Sequence, residues 1–206
     1  LDEGKEVWCL DLFAPPYADE LRAYDRFHMV VDTIKNRPVL DKLIDRCDLI
    51  CHLAAIACPD QYVHQPRKVM DITLLSGIDI VERVRLSGKF LFFTSTSEVY
   101  GRNPRVPFSE DDDRVLGSTR VNRWCYSTSK AALEHYIMAC QQDGQLDYVM
   151  TRVFNCYGPR LRGRVVDRFV DAALCGEPLT IHGDGLQTRC FTYVDDLVDG
   201  FFRLLG

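Results

Sequence analysis

Short runs of consecutive apolar residues alternate along this chain with longer stretches of helical periodicity, and that alternation limits the folds open to it. Residues 6–11, 27–31, 48–53, 90–94 and 147–153 read as strands, and most are apolar on successive positions. A strand with one solvated face alternates apolar with polar residues, whereas a strand covered on both faces does not. Helices are expected over residues 38–46, 67–85, 123–142, 165–175 and 194–205. Strands of this kind, each followed by a helix, predict an α/β fold: a doubly wound parallel sheet with helices on either side.

The texture changes after Phe154, where Gly158, Pro159, Gly163, Gly176, Pro178, Gly183 and Gly185 cut the chain into short pieces. Residues 1–154 are expected to carry the sheet, and residues 155–206 to supply smaller segments interleaved with its last elements. The longest loop, residues 101–122, joins a strand to a helix, and loops of that length in compact domains are usually functional or mobile. A net charge of −5 argues against a nucleic-acid partner, which requires a basic face. The longest uncharged apolar stretch, residues 49–59, falls well short of the roughly 18 residues that span a membrane. The acidic opening residues do not form a secretory signal, so a cytoplasmic protein is expected. Nine cysteines, an odd number with no C-x-x-C pair, read as reduced thiols, with Cys51, Cys58 and Cys140 expected to be buried in apolar runs. The histidines show no metal-binding spacing, and no metal site is expected.

Two stretches carry chemistry. Tyr126 and Lys130 stand four residues apart on a helix, so phenol and ammonium project from one face. A cation beside a tyrosine favours the phenolate and makes it a base for a sugar hydroxyl near neutral pH. The spacing alone also arises by chance on surface helices. It gains weight from the apolar strand ending in Thr94-Ser95-Thr96-Ser97-Glu98, because parallel sheets bind ligands beyond the carboxyl ends of their strands. Further on, Arg152, Arg160, Arg162, Arg164 and Arg168 face a single acid, Asp167, between residues 151 and 170. Such an island suits a diphosphate, since guanidinium forks pair with phosphate oxygens, and it equally describes a solvated loop.

On these residues the chain resembles the extended short-chain dehydrogenases, the NAD-dependent epimerase/dehydratase family, and within it the UDP-glucuronate decarboxylases or UDP-xylose synthases. The resemblance implies a Rossmann-type sheet, NAD as cofactor and a UDP-sugar as substrate. It aligns Asp11 with the acid that holds the adenosine ribose and Asp32 with the acid near adenine. It lays His52-Leu53-Ala54-Ala55 and Thr94 along the cofactor, and makes Thr96, Tyr126 and Lys130 the catalytic trio, with Tyr126 and Lys130 also touching the nicotinamide ribose. Ala57-Cys58-Pro59-Asp60-Gln61-Tyr62 followed by Pro66 resembles the A-x-P-x-x-Y-x-x-x-P of the decarboxylases, with Tyr62 toward substrate. Thr96-Ser97-Glu98 repeats their T-S-E, where dehydratases usually show T-D-E. Arg123-Trp124-Cys125-Tyr126-Ser127 resembles the decarboxylase branch of lipid A aminoarabinose formation. Gly176-Glu177-Pro178-Leu179-Thr180 and Gln187-Thr188-Arg189 look more like xylose synthases. Asn155, Arg160 and Arg189 are the implied diphosphate or uridine contacts.

The implied reaction is C4 oxidation of UDP-glucuronate followed by loss of carbon dioxide, with Ser97 and Glu98 disposed to orient the carboxylate or relay a proton. A UDP-sugar 4-epimerase shares the first step, and a non-catalytic binding protein could use the same fold. The resemblance also implies a homodimer through the helices expected at 67–85 and 123–142. In these terms residues 1–154 are the NAD-binding domain and 155–206 the substrate-binding segments. A dinucleotide-binding sheet opens with a strand, a glycine-rich turn and a helix, and the given sequence contains no G-x-x-G-x-x-G or G-x-G-x-x-G. That strand is central in the order 3-2-1-4-5-6, so two half-sheets are expected, and the sequence reads as part of a longer protein.

Overall fold

The structure, a computed structural model, describes Leu1 and residues 3–206. The chain divides into two compact units, Leu1–Thr151 and Arg152–Gly206. In the first, β1 (Val7–Asp11) is followed by the short helix α1 (Ala18–Leu21), β2 (Phe27–Val31), α2 (Arg37–Arg46) and β3 (Leu49–His52). Then come α3 (Pro59–His64), α4 (Pro66–Met70), α5 (Ser76–Leu86), β4 (Phe90–Thr96), α6 (Cys125–Gln142) and most of β5 (Tyr148–Val153), whose last two residues fall in the second unit. β1 pairs with β2 in parallel, β3 with β4 in parallel, and the second sheet runs β3-β4-β5. The sheet is thus in two pieces, as expected of a sequence lacking the strand that would lie between β1 and β3.

The core sits where α2, α5 and α6 form a contiguous layer over the strands. Leu40 and Ile44 on α2, Ile80, Val81 and Val84 on α5, and Leu133 and Ile137 on α6 meet Leu91 and Phe93 of β4. Each set recurs at three- or four-residue spacing, the pattern of a helix with one apolar face. Complete burial of each such side chain stabilises by roughly 1.5–3 kcal/mol. β4 is buried along most of its length because it has a strand on each side and helices above it. β1, β2 and β3 are mostly half-buried, each with one strand partner, so the expectation of strands covered on both faces holds fully only for β4. Cys140 is buried as expected and Cys58 partly so, but Cys51 is exposed on β3, opposite in pleat to the buried His52.

The single helix expected over 67–85 is α4 and α5 joined by a π-helical turn, Asp71–Leu75, where the Ser76 hydroxyl donates to the Asp71 carbonyl at 3.1 Å. A π-turn adds a residue without breaking the apolar face, which sequence periodicity does not distinguish from a regular turn. Residues 101–122 fold back on themselves. Gly101, at φ +66°, bridges Val115, and Tyr100 stacks on Phe108 at 4.4 Å.

In the second unit, β6 (Cys156–Tyr157) pairs in parallel with β7 (Thr192–Tyr193), accompanied by α7 (Val165–Cys175) and α8 (Val194–Leu204). Tyr157 packs edge-on against Phe191. Among the described residues no helix is long and apolar enough to cross a membrane.

Gly77 lets α5 approach α6: a Cβ there would lie 2.7 Å from Leu133 Cδ1 and 3.3 Å from His52 Nε2, whereas a Cβ on Gly200 of α8 meets nothing within 4 Å. Gly77→Ala is expected to destabilise by about 1–3 kcal/mol through overpacking, and Gly200→Ala to stabilise by up to about 1 kcal/mol through helix propensity. Urea unfolding measures both. The same sign at the two sites would remove close approach as the reason for Gly77.

Candidate active site

α6 is laid against β4 by its apolar positions, and this brings its polar residues to the carboxyl end of that strand. Lys130 is 2% exposed, its ammonium donating to the Thr94 carbonyl at 2.6 Å and lying 4.6 Å from the centre of the Phe93 ring. Burial pushes its pKa down to about 8, with the Glu134 carboxylate pulling the other way. Glu134 stands one turn further along α6, also buried, and accepts a hydrogen bond from the Ser95 hydroxyl. One turn before Lys130, Tyr126 is buried and stacks on Tyr62 with ring centres 4.8 Å apart and planes 5° from parallel. The helix therefore directs Tyr126, Lys130 and Glu134 inward together, as i, i+4 spacing requires.

β4 ends at Thr96, whose hydroxyl oxygen accepts from the Glu98 amide at 3.2 Å and caps the 3₁₀ turn Ser97–Tyr100. Ser97 and Glu98 are half-buried in that turn, which packs against α6. Glu98 is gripped by Arg123, in the 3₁₀ turn Asn122–Trp124 that leads into α6, through two hydrogen bonds of 2.5 and 3.1 Å. The guanidinium also lies 5.2 Å over the Tyr62 ring. Partial burial works against its charge, and the bonds to Glu98 more than offset this, holding its pKa above the ordinary value. Ion pair and aromatic stack together join the turn after β4, α3 and the start of α6.

The residues expected along a dinucleotide lie at the carboxyl ends of β1, β2 and β3. Asp11 is exposed at the end of β1, where its carboxylate accepts from the Phe13 amide at 3.4 Å. Asp32 is turned into its own loop, accepting from the Thr33 amide and the Asn36 side chain, both at 2.7 Å. Leu53 is exposed, while Ala54 and Ala55 are half-buried, Ala55 packing against the cluster of Tyr62, Val69 and Tyr126. The Thr94 hydroxyl donates to the His52 carbonyl at 3.3 Å. This donor set fits the group: an exposed carboxylate suits ribose hydroxyls at one end, and an ammonium with two N–H bonds beyond the one given to Thr94 suits vicinal hydroxyls at the other. Among the described residues no group of three or more His, Cys, Asp or Glu could hold a metal ion.

The second unit holds the remaining expected residues. The Asn155 side chain donates to the Cys190 carbonyl at 2.8 Å, Arg160 sits in the left-handed region at φ +73°, and Arg189 donates to the Thr188 carbonyl at 2.7 Å. Arg162 pairs with Asp171 at 3.3 Å. Asp167 caps α7 by accepting from the Gly163 and Arg164 amides, both at 2.7 Å. The arginine island is thus partly balanced by an acid outside the 151–170 window.

Two side chains at the site, Glu134 and Arg123, are given no role by the sequence pattern, and the burial of His52, expected along the cofactor, is not visible in it either. Glu134 was legible as the next i+4 step after Tyr126 and Lys130. Arg123 stands in the Arg123-Trp124-Cys125-Tyr126-Ser127 motif, which does not reveal Glu98 as its partner. His52 is 3% exposed, stacks on Phe93, has no hydrogen-bond partner for Nε2, and is driven to a pKa of about 3 by burial and by the Lys130 charge.

The family model described as "NAD dependent epimerase/dehydratase family" matches residues 1–206. A UDP-N-acetyl-alpha-D-glucosaminuronate decarboxylase of Bacillus cytotoxicus is 37% identical over 171 residues, covering 81% of this chain and 53% of the relative. UDP-glucuronic acid decarboxylase 4 of Arabidopsis thaliana is 36% identical over 173 residues, covering 81% of this chain and 38% of the relative. The chain spans about half the length or less of these curated relatives. Among solved structures, PbgP3 protein from Burkholderia pseudomallei superposes with a TM-score of 0.87 at 30% identity, covering 97% of this chain and 63% of that one. UDP-glucuronic acid 4-epimerase from Bacillus cereus, in complex with UDP-glucuronic acid and NAD, gives 0.86 at 28% identity, covering 99% and 66%.

His52 is neutral when folded and free to protonate when unfolded, so its contribution to stability is complete above pH 6.5 and declines as pH falls toward 3. Between pH 6.5 and 5 the loss is expected to be roughly 1.5 kcal/mol, and His52→Leu should flatten that interval in urea titrations. Equal slopes in wild type and variant would exclude His52 as the acid-sensitive group.

Proposed function

The chain belongs to the NAD-dependent epimerase/dehydratase family, and from that premise we propose that the protein decarboxylates UDP-glucuronate through a 4-keto sugar. The observation that carries the reading is the hydroxyl–hydroxyl–carboxylate turn Thr96-Ser97-Glu98, held against the start of the helix bearing Tyr126 and Lys130. Tyr126 takes the proton of the C4 hydroxyl, steadied by the Lys130 ammonium, while Thr96 keeps the sugar oxygen oriented. NAD supplies the acceptor for the C4 hydride when it is bound. The C6 carboxylate of the oxidised sugar is β to a ketone, so its C–C bond electrons pass into an enolate as carbon dioxide departs. Donors around the C4 oxygen stabilise that enolate, and C5 then takes up a proton within reach of Ser97 and Glu98. In this reading Asp11 and Asp32 serve the adenosine half of the cofactor and Leu53, Ala54, Ala55 and Thr94 its path across the sheet. Tyr62 serves the substrate, and Asn155, Arg160 and Arg189 its nucleotide diphosphate.

Incubation of the full-length protein with UDP-glucuronate is expected to release one carbon dioxide per sugar and to leave a UDP-pentose or its 4-keto form. Tyr126→Phe should cut turnover by roughly 10²–10⁴. An intact hexuronate inverted at C4, with no carbon dioxide, would instead identify a 4-epimerase.

The Lys130 ammonium is retained below a pKa of about 8 and lost above it. kcat/KM is therefore expected to hold from neutral pH to about 8 and to fall on the alkaline side. A flat profile to pH 10 would separate Lys130 protonation from catalysis.

A further inference from the structure

Two adjacent residues of β4 hold two ionisable side chains of α6. The Thr94 carbonyl accepts from the Lys130 ammonium at 2.6 Å, and the next residue, Ser95, donates its hydroxyl to Oε1 of Glu134. Lys130, Ser95 and Glu134 are buried, at 2%, 4% and 5% exposure. Four residues apart, Lys130 and Glu134 share one face of the helix. On a solvated helix, lysine followed by glutamate is the weaker order for such a pair, because each charge opposes the helix dipole. Helix stability therefore does not account for the arrangement. Nor does the Ser95 hydroxyl, for which a neutral amide oxygen would be an adequate acceptor. What an acid supplies and an amide does not is negative charge away from solvent, where the ammonium otherwise has the Thr94 carbonyl and the face of Phe93.

The other charges brought to this helix have their own partners or lie in solvent. α6 packs against α4, the π-turn, α5, β4 and the two 3₁₀ turns. On α5, Arg83 is bound by Asp79 and Asp41, and Arg85 by Glu82, which also accepts from Tyr136 of α6. Glu98 and Arg123, on the two 3₁₀ turns, hold each other. Arg67 and Lys68 on α4 and His135 on α6 are exposed, Asp71 of the π-turn is half-buried, and β4 carries no ionisable side chain. His52 of β3 is neutral near pH 7, since burial and the Lys130 charge both oppose its protonation. We propose that Glu134 is a positioning residue for the reaction: anchored by the Ser95 hydroxyl, its carboxylate is the counter-charge that keeps a buried ammonium protonated one turn from Tyr126. This rests on the role given to Lys130 in the decarboxylase reading and deepens it, because it assigns the alkaline limit of activity to a side chain that acts through Lys130 and not on the sugar. The balance at Lys130 has the matching sign, burial lowering its pKa and Glu134 raising it.

The test uses the full-length protein. Glu134→Gln keeps the shape and an acceptor for Ser95 but loses the charge. The alkaline fall of kcat/KM for UDP-glucuronate is then expected about one pH unit lower than in wild type, so that activity at pH 8 relative to pH 6 drops about fivefold. Glu134→Asp and Ser95→Ala, which keep the charge but loosen its placement, should move the fall in the same direction by less. A second readout needs no turnover. Lys130 gives up its proton at about pH 8 when folded and near 10.5 when unfolded, so its contribution to stability is least below pH 8 and grows between the two values. In urea titrations, each protein being compared with its own Lys130→Met counterpart, that rise is expected to begin about one pH unit earlier in Glu134→Gln. An acid that served only the packing of α6 on β4 would lower activity by one factor at every pH and leave both onsets where they are in wild type, and that outcome overturns the proposal. If Glu134→Gln does not fold, Glu134→Asp and Ser95→Ala carry the same comparison, and unmoved onsets in both overturn it. Absence of carbon dioxide release overturns the decarboxylase reading by itself, and the urea onset then decides for or against Glu134 as the counter-charge of Lys130.

Discussion

A charge inside the protein must be solvated by the protein, and the arrangement around β4 follows from placing one there. Lys130 has a main-chain carbonyl at 2.6 Å, the face of Phe93 below it and the Glu134 carboxylate one turn away. The unfolded chain holds this proton up to about pH 10.5 and the folded one only to about 8. Burial of the charged form therefore costs on the order of 3 kcal/mol at neutral pH, regained only in strong alkali. Burial of Leu133 and Ile137 on the same helix, packed against Val81, Val84 and Phe93, stabilises by roughly 3–6 kcal/mol and offsets that cost. Because the ammonium binds the Thr94 carbonyl, α6 cannot slide along β4 without stranding it. The register that solvates Lys130 is the one that sets Tyr126 at the end of the strand, next to the turn beginning at Thr96.

The second constraint is lateral. Tyr62 of α3 contacts both the Arg123 guanidinium and the Tyr126 ring, and Arg123 in turn grips Glu98. Loss of any one member would leave a desolvated carboxylate, a half-buried guanidinium or a gap beside the phenol, and each is costly for a different reason. The helix bearing Tyr126 and the turn bearing Thr96, Ser97 and Glu98 are consequently one unit. Such rigidity is what a site needs if proton removal at C4 is to occur from a fixed geometry.

Much of this was legible in the sequence because it depends on local periodicity. Five strands and the shared face of Tyr126 and Lys130 follow from which residues recur at spacings of one or four, and the absence of a strand–glycine turn–helix opening correctly implied a divided sheet. What was not legible depends on distant partners. The π-turn at Asp71–Leu75 keeps the apolar face while changing the turn, so no pattern reports it. The exposure of Cys51 reflects how little covers β3, which its apolar neighbours do not reveal. The burial of His52 comes from Phe93 and Gly77, 41 and 25 residues away. Arg162 found its acid on α7, beyond the window over which charge had been counted.

The resemblance to both decarboxylases and 4-epimerases has a chemical explanation in how the site divides. In the proposed reading Tyr126, Lys130 and Thr96 deal with an alcohol becoming a ketone, a step that is the same whichever way the keto sugar goes next, so a fold built around them suits either outcome. The outcome is governed by the groups that face the rest of the ring. A ketone with a β-carboxylate loses carbon dioxide readily once the breaking C–C bond stands perpendicular to the carbonyl plane and the enolate has hydrogen-bond donors. It reverts or epimerises when the sugar is free to rotate instead. In the proposed reading Ser97 and Glu98 face that part of the ring, and Arg123 holds Glu98 in place through two hydrogen bonds.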